Sequence, residues 1–302
     1  MKTDALSLPL RLPLPLPPAP TQAGKLRSAL RLMRAEKSLF AALFTFLGAW
    51  LVAPLPVLWS APVLAAAACV ACITAFGFVV NDCCDLAVVR IGKPARPLPA
   101  GALTLRSATT LACSLAVAGL AVGATLGPVP ALWAAGAVAL SAAYSMRLKS
   151  TLLLGNATVA LLVAGVLVFG ALVAGRVMPA VLVAAAIAFS YIVAQEVLFN
   201  LEDLDEDGAA GLRTTATRLG RARTAHLVRV LLLVFVAVAL APWLAGTAPA
   251  SYAAALTVLS LSPAALLWCW LRPPADSGAV ACAARWSRVL WLTSFLPLSL
   301  LK

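Results

Sequence analysis

Long apolar stretches alternate with short basic ones along this chain. Mostly apolar windows of 17–24 residues recur over roughly 36–53, 61–80, 104–126, 130–146, 153–175, 178–199, 224–244, 249–271 and 282–301. Each is long enough to cross a bilayer as a helix. Apolar and polar residues do not alternate along them, which excludes a membrane β-barrel. Helices satisfy their own backbone inside lipid. The pattern therefore predicts an all-α, polytopic membrane protein with nine transmembrane helices.

Composition agrees. The chain is 63% hydrophobic and 11% charged, against about 25% charged in soluble domains. Residues 6–20 read LSLPLRLPLPLPPAP, with five prolines between Leu8 and Pro18. That density forbids a helical signal core, and no A-x-A site follows. Residues 1–33 are expected to be a Pro-rich, disordered cytoplasmic tail ahead of a membrane domain over 34–302. The seven cysteines scatter through the apolar runs and form no disulfide framework.

Charge sets the orientation. Of 23 Lys and Arg, only Arg176 and Lys302 fall outside if the N-terminus lies inside. That asymmetry predicts a cytoplasmic N-terminus in the cell inner (cytoplasmic) membrane. The net charge of +12 then reflects topology and anionic headgroups, and needs no nucleic acid as partner.

The carboxylates are concentrated. Eight of 11 fall within 82–85 and 196–207, at the cytoplasmic ends of the second and sixth spans. Asn81 and Asp85, four apart, share a helix face, as do Asn200, Asp203 and Asp207. Acidic groups at a helix C-terminus oppose the dipole and call for a cation. Mg2+ suits them, because it takes oxygen ligands and commonly adds substrate phosphates. Arg90, Lys93 and Arg96 lie just beyond and suit the remaining phosphate charge. Carboxylates, Mg2+ and adjacent cations describe a diphosphate site opening to the cytoplasm. The single histidine, His226, gives no H-E-x-x-H, and no G-x-x-x-x-G-K-[ST] loop occurs.

Three motifs carry a resemblance. NDCCDLAVVRIGKPARPLPAG (81–101) is similar to N-D-x-x-D-x-x-x-D-R-I-N-x-P-x-R-P-L-P-S-G. YSMRLKSTLLLGN (144–156) is similar to Y-S-x-x-L-K-x-x-x-x-x-G-N. EVLFNLEDLDEDGAAGLRTTATRLG (196–220) is similar to E-x-x-K-D-x-x-D-x-x-x-D-x-x-x-G-x-R-T-x-x-x-R-L-G. In this order they resemble the UbiA-type intramembrane prenyltransferases. The resemblance implies nine helices around a central cavity and Mg2+-dependent transfer of a prenyl group, of the C10 to C20 range, from an isoprenyl diphosphate. It implies a small, usually aromatic acceptor, and here a role in secondary metabolism.

Carried over residue by residue, the family's pattern makes Asn81, Asp82, Asp85, Asn200, Asp203 and Asp207 metal ligands. The same pattern makes Asp82, Asp85, Asp203, Asp207 and Lys149 catalytic. It places Arg90, Lys93, Arg96, Tyr144, Lys149, Asn200 and Arg213 against the substrate. Departures are specific. Val89 stands where the first motif has its third Asp. Phe199 and Asn200 stand where the second has Lys and Asp. An R-P-x-N element reads Arg34-Ala35-Glu36-Lys37. A terpene cyclase, ionising the same diphosphate without an acceptor, fits these residues too. A non-catalytic transporter is the second rival.

Overall fold

The computed structural model describes residues 22–272 and 275–302. Its helices in chain order are α1 (Gln22–Leu32), α2 (Ala35–Trp50), α3 (Leu55–Leu58), α4 (Ala61–Cys84), α5 (Leu86–Gly92), α6 (Leu105–Thr125), α7 (Pro128–Met146) and α8 (Leu154–Val173). Then follow α9 (Pro179–Glu202), α10 (Leu204–Ala209), α11 (Thr215–Leu219), α12 (Arg221–Leu244), α13 (Ala250–Leu256), α14 (Ser262–Trp270), α15 (Ser277–Thr293) and α16 (Phe295–Ser299). No strand occurs among the described residues. A π turn over 257–261 joins α13 to α14 as one span, Ala250–Trp270.

Local chemistry explains the helix starts. Proline opens α4, α7 and α9, where a missing N–H costs nothing. Thr104 caps α6 by accepting from the Ser107 N–H, and Asp276 caps α15 by accepting from the Ala279 N–H at 2.7 Å.

Seven helices are long and apolar enough to cross a membrane. At the first and ninth expected spans, α2 has 16 residues and α15 has 17. At 1.5 Å per residue each falls short of a roughly 30 Å core. The chain resumes helically in both places, as α3 and α16. The expected tail also changes. Its residues 22–32 form α1, whose Leu32 is buried against Phe76, Val79 and Leu98. Once the prolines stop at Pro20, helical periodicity takes over. Residues 1–21 lie outside the described residues.

The main core draws on α2, α4, α8, α9, α12, α14 and α15. Its tightest seam joins α2 to α8. A Cβ built on Gly48 would lie 2.0 Å from the Leu167 carbonyl oxygen, and one on Gly170 would lie 2.0 Å from that of Thr45. Only glycine permits this reciprocal backbone contact, the usual way membrane helices gain packing. Gly170→Ala is expected to cost about 2–3 kcal/mol by overpacking, read as a lower melting temperature in detergent. An unchanged melting temperature would show that the seam yields.

Candidate active site

Each acidic motif sits where a spanning helix breaks. Asp85 ends α4 and precedes α5, with φ −95° and ψ 12°. Asp203 ends α9 and precedes α10, with φ −87° and ψ 8°. The two joints match further. The Val89 N–H donates to the Asp85 carbonyl and the Asp207 N–H to the Asp203 carbonyl, both at 2.8 Å. The dipole problem raised by the sequence is thus partly answered by the backbone. Each aspartate closes one helix but begins another, where negative charge is favoured.

The joints meet through side chains. Lys93 donates to both carboxylate oxygens of Asp203 at 3.2 Å and lies 3.8 Å from Glu206. The Glu206 carboxylate also lies against Gly92, where a Cβ would come within 2.6 Å of Oε2 and the flexible Glu206 side chain would have to shift. Lys149, on the 3-10 turn over 148–150, pairs with Asp85. Tyr144 has Glu196, Arg34 and Asp207 as charged neighbours. The three motifs therefore converge on one end of the helix bundle.

Asp82 differs from its neighbours. Its side chain is only 4% exposed, and its Oδ1 accepts from Arg34 at 3.0 Å and Arg96 at 2.9 Å. Arg34 lies in the turn between α1 and α2 at φ 46°, with its guanidinium 4.5 Å from the Phe78 ring centre. Asp82 thereby holds two cations at the mouth of the site.

The departures also have visible partners. Val89 is buried. The Phe199 ring carries the Arg288 guanidinium at 4.7 Å, and Arg288 pairs with Glu202 at 3.0 Å. A cation from α15 therefore lies beside the position where the family motif has lysine. Asn200 accepts from Asn156 Nδ2 at 2.9 Å. Asn81 makes no hydrogen bond through its side chain among the described residues and shares a face with Asp85.

Arg90 and Arg213 are not drawn in. Both are exposed and make no ion pair among the described residues. Arg213 instead lines a cleft of about 550 Å³ with Gly208, Gly211, Leu212, Thr217 and Arg218. Sequence reasoning missed Arg34 as a partner of Asp82, Glu206, Asn156, Thr215 and Arg288. Glu206 was findable, being three residues from Asp203. Arg34 and Arg288 join the motifs only through tertiary contacts.

No group of three or more His, Cys, Asp or Glu side chains forms a ready metal cage among the described residues. Asp82, Asp85 and Asp203 are instead each paired with a cation. That fits a divalent ion held by one or two carboxylates plus substrate phosphates, the habit of Mg2+.

The described residues make an all-helical membrane protein whose cations and carboxylates gather where spanning helices break, the class of site suited to a metal ion and a diphosphate. The chain belongs to the UbiA prenyltransferase family, whose pattern it matches over residues 41–290. It is 37% identical over 164 residues to a digeranylgeranylglyceryl phosphate synthase of Methanoregula boonei, covering 54% of this chain and 59% of that one. Its match to the synthase of that name from Methanoculleus marisnigri is 35% over 199 residues, covering 65% and 69%. A solved structure concerned with digeranylgeranylglyceryl phosphate synthase shares the fold, with TM-score 0.72 and 21% identity over 91% of this chain and 97% of that one. So does a UbiA homolog of Archaeoglobus fulgidus bound to GPP and Mg2+, with TM-score 0.63 and 18% identity over 90% and 99%.

Proposed function

We propose that this protein transfers a prenyl group from an isoprenyl diphosphate, bound with Mg2+, to a glyceryl phosphate acceptor. The observation that carries the reading is the Lys93–Asp203 contact, which brings the two acidic helix ends to one place. Asn81, Asp85, Asp203 and Asp207 are the residues that would hold Mg2+. The ion would neutralise the diphosphate and favour its departure. Lys93, Arg96 and Lys149 add fixed positive charge where the leaving oxygen gains negative charge. Asp82 keeps Arg34 and Arg96 oriented. The prenyl chain extends among the apolar helices. The charge asymmetry supports a cytoplasmic mouth for the site.

The acceptor departs from the sequence expectation of a small aromatic molecule. Nothing in the site favours an aromatic acceptor, whereas both named relatives are digeranylgeranylglyceryl phosphate synthases. The deciding assay supplies purified protein with geranylgeranyl diphosphate, Mg2+ and either geranylgeranylglyceryl phosphate or 4-hydroxybenzoate. A prenylated glyceryl phosphate in the mass spectrum supports the proposal. Prenylated hydroxybenzoate alone restores the aromatic expectation. A hydrocarbon formed without acceptor makes the protein a cyclase. No diphosphate release under any condition returns it to the non-catalytic class.

Asp207 adds a pH dependence. Burial, and then the charge of Asp203, push its carboxyl up to about 6. A metal ligand must be deprotonated. Below about pH 6 the proton stays on, and binding must displace it. Apparent Mg2+ affinity in the presence of donor is therefore expected to fall as pH drops from 7 to 5, approaching about tenfold per unit. Calorimetric titration across that range checks it, and a flat profile removes Asp207 from the ligand set.

A further inference from the structure

A directed chain of hydrogen bonds ends on Asn200. It starts at Leu153, whose backbone lies at φ 58° just before α8. The Leu153 N–H donates to Thr215 Oγ1 at 3.1 Å. A backbone N–H can only donate, so this first link cannot reverse. Thr215 is completely buried. Its hydroxyl hydrogen goes to Asn156 Oδ1 at 2.8 Å, the one acceptor it reaches among the described residues. Asn156, itself buried, then presents its amide nitrogen to Asn200 Oδ1 at 2.9 Å.

The polarity of this chain decides which end of Asn200 faces the site. Turning the Asn156 amide over would strand the Thr215 hydroxyl hydrogen in a dry position. A buried unsatisfied donor costs roughly 1–3 kcal/mol. The amide therefore stays as it is, and the Asn200 carbonyl oxygen is held by α8. The Asn200 nitrogen is what remains for the side toward Asp203, three residues on at the end of the same helix. A carboxamide nitrogen donates two hydrogen bonds and has no lone pair to offer a metal.

An aspartate here would have one oxygen for Asn156 and a second for a cation. Asparagine has only the first. The adjacent change matches in charge. The family motif's Lys-Asp reads Phe199-Asn200, so a positive and a negative group are exchanged together for neutral ones.

We infer that Asn200 serves the prenyl diphosphate as a hydrogen-bond donor, its amide N–H directed at a phosphate oxygen, and that it does not ligate the metal ion. The inference rests on the diphosphate reading above. Asn156 and Thr215 are positioning residues that set the direction of this donor. The second motif then supplies its metal ligands through Asp203 and Asp207 alone.

The test is binding of geranyl diphosphate to the purified full-length protein, by calorimetry, in EDTA and again in Mg2+. Asn200→Ala is expected to weaken binding about tenfold in both conditions, the usual scale for a lost hydrogen bond to a charged group. The Mg2+ concentration giving half-saturation should not change. Asn200→Asp should weaken binding in EDTA still further, by placing a negative charge beside the diphosphate, and recover part of it with Mg2+. Thr215→Val, which removes the hydroxyl hydrogen at similar volume, should reproduce part of the Asn200→Ala loss in EDTA. Melting temperatures of all three variants separate this from misfolding. A loss confined to Mg2+, or a raised Mg2+ half-saturation in Asn200→Ala, would overturn the inference. If native protein binds geranyl diphosphate in neither condition, the diphosphate reading itself fails.

Discussion

Asp203→Ala is expected to lower prenyl transfer by about a thousandfold while leaving the protein folded. The activity loss follows from where the side chain sits. Asp203 occupies the joint between α9 and α10 and meets Lys93, which comes from the first motif. Without it the second motif loses the carboxylate that ties the two helix ends together. Removing one preorganised electrostatic group from an active site costs about a hundred- to a thousandfold. The upper figure applies here because metal-binding charge and Lys93 orientation are lost together. Stability should barely move. The Lys93 and Asp203 side chains are 39% and 38% exposed, and pairs so open to water are worth about 1 kcal/mol or less. Lys93 also retains Glu206 at 3.8 Å. Diphosphate release and a melting curve on the same sample check both halves. Native-like turnover would remove Asp203 from the site.

Asp82→Ala should fail in the opposite way, through the fold. The carboxylate is 4% exposed and takes both Arg34 and Arg96 on one oxygen. Truncation leaves two guanidinium groups facing each other with no counter-ion. Breaking a buried ion pair from one side costs about 3–5 kcal/mol. The two arginines are partly exposed, which places the expectation at about 3 kcal/mol. The variant should yield less folded protein and melt well below the native chain. Arg34→Ala tests the cause, because it removes one cation and keeps the other paired, so it should melt above Asp82→Ala. An Asp82→Ala protein of native stability without activity would instead place Asp82 among the metal ligands, as the motif alone suggests.

These two aspartates show what the sequence can and cannot convey. Hydropathy located the long helices, and the acidic clusters fell at their ends, at Asp85 and Asp203, although the break at Asp203 puts Asp207 on α10 and off the α9 face the spacing predicts. Both follow from local periodicity, which a chain displays directly. The roles of Asp82 and Arg34 do not. They are 48 positions apart, and only the packing of α1 and α2 against α4 brings them together. Arg90 and Arg213 show the reverse case. They stand at motif positions, and the local turns leave both in solvent. Phe199 reads as a lost lysine until α15 is seen laying Arg288 across its ring. The shortness of α2 escaped notice because hydropathy counts apolar residues and does not see where the helix ends at Trp50.

The glycine seam between α2 and α8 bears on how the protein is made. Helix α2 enters the membrane early, but Gly48 has no partner until Gly170 has been synthesised and inserted. Through that interval α2 waits in lipid with a notch open to acyl chains. The same helix follows directly on Arg34, whose pairing with Asp82 depends instead on α2 meeting α4, both made before α8. The charge cluster likewise waits on later chain, since Lys93 meets Asp203 only once α9 has been made. An incompletely translated or misinserted chain holds its acidic joints apart and presents no assembled charge cluster to soluble diphosphates.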